Sequence, residues 1–184
     1  MQVRIYYDYS CPYSQRAFQW FRRLQEAVLG LELSWATFSL KEVNRDASTP
    51  SPFTGPEISS VSVLALALAH AARQADFDCY HQAVFDAMQE RRVDERNLLA
   101  AAADAGVDTG AFDLDRQHWL GHVAEEHGEA QALGVFGTPT LVFDDAVAFV
   151  KLAELPPPHD DVELWHSLCV LARCHPELVE IKRP

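Results

Sequence analysis

"YYDYSCPYSQRAF", residues 6–18, joins two periodicities. Ahead of its centre, Val3, Ile5 and Tyr7 alternate with Gln2, Arg4 and Tyr6, the period of a strand. Behind it, Ala17, Phe18, Phe21, Leu24 and Val28 recur at helical spacing until Gly30. Cys11 therefore stands where a strand hands over to a helix. Pro12 follows in the first turn, where a missing N–H costs nothing. Leu31, Leu33 and Trp35 alternate again, which predicts a second strand through about Leu40. A β–α–β run this short makes the two strands parallel neighbours.

Further along, "RDASTPSPFTGPE" reads as a surface loop near the same end, with the length for a lid. Residues 58–133 read as helical throughout. The spacing predicts helices over Ser59–Gln74 and Asp78–Glu90, a third capped by Asp94 and ended by Gly106, and a fourth from Asp113 to Leu133. Strands return in "GTPTLVFDDAVAFV", as Thr140–Phe143 and Ala146–Lys151 around an Asp144-Asp145 turn. "LPPPHDD" is a linker, and Asp160 or Asp161 can cap a last helix carrying Val162, Trp165, Leu168 and Cys169 on its buried stripe.

The chain of 184 residues has the length of one domain, or of one domain with a large insertion. Its net charge of −12 argues against binding a nucleic-acid backbone or an anionic membrane. Residues 76–129 hold 13 acidic side chains against four arginines, whereas residues 1–30 carry four arginines against Asp8 and Glu26. The longest apolar run, Val61–Ala69, is far short of the ~20 residues that span a bilayer. With a strand beginning at Gln2 there is no room for a leader, so the expected location is cytoplasmic. There Cys11, Cys79, Cys169 and Cys174 are expected as free thiols.

A helix start presents free N–H groups and partial positive charge, which favour a thiolate. Cys11 thus has the setting of a nucleophile, although a small residue at a turn fits the same place. Thr138-Pro139 opens a strand with a residue that cannot donate to a ladder. A cis bond there would leave the Thr138 backbone groups free, and an ordinary trans proline at a strand edge is the alternative.

Taken together, Cys-Pro at a helix mouth, a helical stretch, and Thr-Pro opening a ββα unit resemble the DsbA-like branch of the thioredoxin superfamily. The resemblance implies an α/β thioredoxin-like fold (βαβ…ββα) with an all-helical insertion. Residues 1–57 and 134–184 form the thioredoxin-like domain and 58–133 the inserted helical subdomain. The tail "LWHSLCVLARCHPELVEIKR" is similar to that of the FrnE-like group, which includes actinobacterial mycothiol-dependent reductases. Membership implies a thiol–disulfide oxidoreductase with Cys11 as nucleophile. Pro12, Tyr13, Thr138 and Pro139 would bind the substrate or thiol, with the Thr138-Pro139 backbone pairing to an extended ligand as an added strand.

One position departs from that group, whose motif is C-P-x-C: the fourth residue here is Ser14. A dithiol resolves its mixed disulfide internally, whereas a monothiol needs an external thiol. Glutathione or mycothiol is the expected co-substrate, acting on a disulfide or a small electrophile, with no tightly bound cofactor. Ser14 would donate a hydrogen bond to the Cys11 sulfur. The motif also resembles "FDFxSPYSY" of 2-hydroxychromene-2-carboxylate isomerases and kappa-type glutathione transferases, with Cys11 where their active serine sits. That likeness implies a glutathione-dependent isomerase or transferase instead. A redox-inert binding protein, docking through the acidic insertion, is the third reading; otherwise the insertion is a solvated surface.

Cys79 is either a remote resolving thiol or a packed or partly exposed residue. Cys169 reads as structural, and Cys174, five residues on, is poorly spaced to bridge to it. His118, His122 and His127 share one helix, but no third ligand completes a zinc pattern, so no metal is expected. Asp8 reads as an acid acting behind the cysteine or as the polar end of a strand. Trp20, Trp35, Trp119 and Trp165 read as core. A monomer and a homodimer both fit.

Overall fold

The computed structural model places a central four-stranded sheet in the order β2-β1-β3-β4. The structure describes all residues except Pro56, Glu57, Ser59, Arg91 and 182–184, and all side chains of the others but that of Gln89. The expected helix start at Ser59 and the tail's Lys182 and Arg183 therefore lie outside the described residues.

β1 (Gln2–Tyr7) runs parallel to β2 (Glu32–Thr37), with α1 (Pro12–Ala27) crossing between them. β3 (Thr140–Val142) pairs antiparallel with the other side of β1, and β4 (Val147–Phe149) pairs antiparallel with β3. β1 is thus central and covered on both faces. Its odd residues Val3 and Ile5 pack with Trp20, Phe21 and Leu24 of α1 and with Trp165 of α8 (Asp161–Cys174). Tyr6 faces the other way, toward Phe38, Ala130 and Val135.

β2 ends earlier than the alternation suggests. Ser39 Oγ accepts the Glu42 amide at 3.2 Å and turns the chain into the short α2 (Leu40–Val43). Among the described residues, five helices rather than four lie between α2 and β3: α3 (Val61–Ala72), α4 (Phe77–Gln89), α5 (Glu95–Asp104), α6 (Thr109–Leu114) and α7 (Arg116–Ala132). The stretch read as one helix from Asp113 divides at Asp115, whose carboxylate accepts the His118 amide at 3.2 Å and starts α7 afresh. Asp94 caps α5 as read, and Gly106 follows it at φ +83°. At the last helix the capping expectation fails. Asp160 sits at the N-cap without a side-chain bond, and Asp161 is spent on an ion pair to Arg23 at 2.7 Å.

α3 is apolar all round and buried from Val63 to Ala72, the centre of a core that also takes in Tyr7, Tyr9, Phe18, Tyr80, Phe85 and Val123. Glu126 of α7 clamps that helical layer to the end of β2. Its carboxylate accepts from the Thr37 amide (2.6 Å), the Thr37 hydroxyl (2.8 Å) and Arg73 of α3 (2.7 Å).

Candidate active site

Cys11 is the N-cap of α1, and Pro12 occupies the first helical position. The turn that delivers it is built on Asp8, just past the end of β1. The Asp8 carbonyl accepts the Cys11 amide at 3.0 Å. Its carboxylate accepts from the Ser10 amide (2.8 Å), the Ser10 hydroxyl (2.7 Å) and, from the start of α2, the Leu40 amide (2.7 Å). Burial pushes the Asp8 carboxyl up from its ordinary value, and the bonds from Ser10 and Leu40 pull against that shift.

The Cys11 side chain is 5% exposed. Its Sγ donates to the Thr138 carbonyl at 3.2 Å. The Thr138–Pro139 bond is cis. Thr140 Oγ1 donates to the Gly137 carbonyl at 2.8 Å and Val150 N donates to the Pro139 carbonyl at 3.1 Å, so both sides of this loop are tied to the β3–β4 pair. Thr138 Oγ1 is buried and has no hydrogen-bond partner among the described residues. The fold therefore brings Cys11, Pro12, Tyr13 and Ser14 to the same place as Thr138 and Pro139, across more than 120 residues of chain.

Ser14 does not take the partner foreseen for it. It is fully buried, and its Oγ accepts the Asp8 amide at 3.4 Å. The Cys11 sulfur instead hydrogen-bonds to the Thr138 carbonyl. Gln15, one residue on, donates to the Phe85 carbonyl at 3.1 Å and fastens α1 to α4.

Two surfaces adjoin the Cys11 turn, one at Ser10 and one at Tyr13. On one side a cleft of about 900 Å³ is lined by Ser10, Leu40, Lys41, Asn44, Arg45 and Ser51 among others. The "RDASTPSPFTGPE" loop supplies much of this wall. Arg45 holds it in shape, pairing with Glu42 at 3.0 Å, while Glu42 also accepts from Ser51 at 2.7 Å. At Tyr13 the ring contacts two cations, Arg16 at 5.3 Å and Lys151 at 5.0 Å. Sequence reading missed Lys151 and Lys41, because neither belongs to a motif. Each is a lone lysine whose meaning depends on which loop end lies beside the cysteine.

His81 was also not foreseen. It is fully buried within α4, ringed by Tyr7, Phe18, Phe77 and Phe85 at 4.5–4.8 Å, and its Nδ1 pairs with the Tyr9 hydroxyl at 2.8 Å. Burial pushes its basicity well below the ordinary histidine value, so it is neutral. Tyr9 is two residues from Cys11, so this pair stiffens the same turn from behind.

The four cysteines are unbridged, and Cys79, in the first turn of α4, is exposed. His118 and His122 meet at 3.2 Å, Nε2 to Nε2. Among the described residues no group of three or more His, Cys, Asp or Glu is placed to hold a metal ion. Among them, too, no helix is long and apolar enough to cross a membrane.

A cysteine at the N-cap position of the first helix, its thiol set against the Thr-Pro loop that opens β3, in a βαβ–helices–ββα chain, defines a thioredoxin-type site with helices inserted between its halves. Residues 2–156 match the DSBA-like thioredoxin domain, and the chain belongs to that family of thioredoxin-fold oxidoreductases. It is similar to a thioredoxin-like oxidoreductase from Silicibacter pomeroyi DSS-3, with 25% identity, a TM-score of 0.61, and 90% of this chain and 86% of that one covered. The cytosolic disulfide reductase DsbM from Pseudomonas aeruginosa shares the fold at 19% identity and TM-score 0.57, covering 94% of this chain and all (100%) of that one. A 2-hydroxychromene-2-carboxylate isomerase shares it at 19% identity and TM-score 0.61, covering 98% of this chain and 100% of that one.

Proposed function

We propose that the protein is a cytoplasmic thiol–disulfide oxidoreductase that works with a single thiol. The observation that carries this reading is the Cys11 sulfur 3.2 Å from the Thr138 carbonyl, with Ser14 in place of a second cysteine. Cys11, as thiolate, attacks one sulfur of a disulfide. The Cys11–substrate disulfide forms, the other half leaves as a thiolate, and the count of thiols and disulfides is unchanged. A low-molecular-weight thiol, glutathione or mycothiol, then attacks the mixed disulfide and frees Cys11. Pro12, Tyr13, Thr138 and Pro139 contact the bound thiol or substrate. The cytosolic DsbM, which shares the fold, supports the location.

The test is intact-protein mass spectrometry after brief exposure to oxidised glutathione, on the wild type and Cys11→Ser. A long-lived adduct on Cys11 that added thiol removes is the expected result. Its conversion to an internal disulfide would make Cys79 a resolving thiol. Saturable glutathione binding without an adduct, surviving Cys11→Ser, would favour an isomerase or transferase instead. That second reading is motivated by the "YDYSCPYS" likeness to the serine motif of those enzymes. Neither adduct nor binding would leave a redox-inert binding protein.

A further inference from the structure

Several cations elsewhere on this acidic chain are neutralised. Arg23, Arg45, Arg73, Arg116 and Arg173 each sit within 3.0 Å of a carboxylate oxygen. The two beside the active thiol are not. Arg16 gives one N–H to the Leu152 carbonyl at 3.2 Å, which fixes its guanidinium, and Lys151 is exposed. Among the described residues neither has a carboxylate partner; what they have is aromatic faces.

Those faces form a shelf that begins in the first turn of α1, next to Cys11 in the chain. Tyr13, two residues from Cys11, carries both cations. Lys151 also stands 4.9 Å over Phe149. The Phe149 ring lies against Gly137, where an added Cβ would meet it at 3.2 Å, so it borders the loop that presents Thr138. Phe136 packs 4.9 Å from Phe149 and is 66% exposed. A partly exposed aromatic surface, with Tyr13 and Phe149 half-buried, edged by positive charge without a carboxylate partner is complementary to a molecule with an apolar body and an anionic group.

We infer that the Tyr13–Lys151–Phe149 shelf selects a small thiol or disulfide that carries a carboxylate next to an apolar or aromatic body. The inference rests on the thiol-exchange reading and narrows its substrate class. The apolar body lies over Phe149 and Phe136, the carboxylate meets Lys151 and Arg16, and the sulfur reaches Cys11. The same positive pair raises the local concentration of anionic disulfides at a protein whose net charge of −12 would otherwise repel them.

The experiment compares two aromatic disulfides of similar shape: dianionic 5,5′-dithiobis(2-nitrobenzoate) and uncharged 4,4′-dithiodipyridine. Cys79→Ser/Cys174→Ser removes the two exposed thiols, and peptide mass mapping assigns the reaction to Cys11. Stopped-flow rates are read as the ratio of anionic to uncharged reagent in this background, in Lys151→Gln and in Lys151→Glu. The ratio is expected to fall about threefold on loss of one charge and about tenfold on its reversal at low salt, and to shrink with added salt in the parent. A ratio that does not move in either variant overturns the inference and leaves the thiol-exchange reading standing. Failure of both reagents to modify Cys11 overturns both.

Discussion

The Asp8 carboxylate accepts the Leu40 amide at 2.7 Å, joining the turn before Cys11 to the first residue of α2. Asp8 therefore holds one wall of the cleft with its side chain and the cysteine with its own carbonyl. Asp8→Ala removes a buried carboxylate and leaves the partly buried Leu40 amide and the Ser10 amide without their acceptor, a loss of about 2 kcal/mol. The urea unfolding midpoint reads this loss directly. Asp8→Asn, which keeps an acceptor oxygen, is expected to recover part of it.

Ser14→Cys is expected to convert the site from external to internal resolution. The position is fully buried beside the Asp8 amide and one helical turn from Cys11, and serine to cysteine adds little volume. The glutathione adduct on Cys11 should shorten in lifetime by about tenfold or more as an 11–14 disulfide replaces it. An adduct that persists unchanged in this variant would show that Ser14 is turned away from the exchange.

Glu126 makes the stability of the fold depend on acid. Burial pushes its carboxyl up, but the hydrogen bonds from His70 and Arg73 outweigh burial and hold it far below the usual carboxylate range. Its folded value lies under its unfolded one, about 4.3. The contribution is therefore complete above that pH and is lost progressively as pH falls toward the folded value. Glu126→Gln should destabilise by about 2 kcal/mol at pH 7. The gap to wild type should shrink by up to about 1.4 kcal/mol per unit below pH ~4.3, seen in denaturant curves.

His81 acts at milder pH and with the same direction. Burial holds the folded imidazole neutral well below its ordinary value, while the unfolded side chain protonates near pH 6.5. The unfolded state thus binds the extra proton, and stability falls as pH drops below about 6.5. His81→Phe keeps the aromatic packing and removes that proton uptake. The slope of stability against pH between 6.5 and 5 should flatten by up to one proton. An unchanged slope would assign the acid sensitivity to His70 and His127, whose basicity burial also lowers.

Much of this architecture was legible because its signals are local. The alternation in Gln2–Tyr7, Pro12 after Cys11, Gly30 after α1 and Asp94 before α5 each act within one turn or one strand. Where reading failed, a side chain had a better distant partner or an equally good nearby one. Asp161 went to Arg23 rather than to a cap, and Asp115 interrupted what apolar spacing described as one helix.

The chain by itself determined the strand–Cys-Pro–helix junction, the parallel β–α–β start, and the family to which the motifs pointed. These follow from backbone preferences and side-chain period, which need no partner. Only the tertiary structure decided that the Cys11 sulfur meets the Thr138 carbonyl, that Ser14 turns to Asp8, and that Lys151 stands over Tyr13 beside the thiol. Glu126 and Thr37 belong with these, since 89 residues separate them in the chain. Such contacts arise when burial brings distant segments together and their polar groups must find partners away from water, and no local spacing encodes which partner that will be.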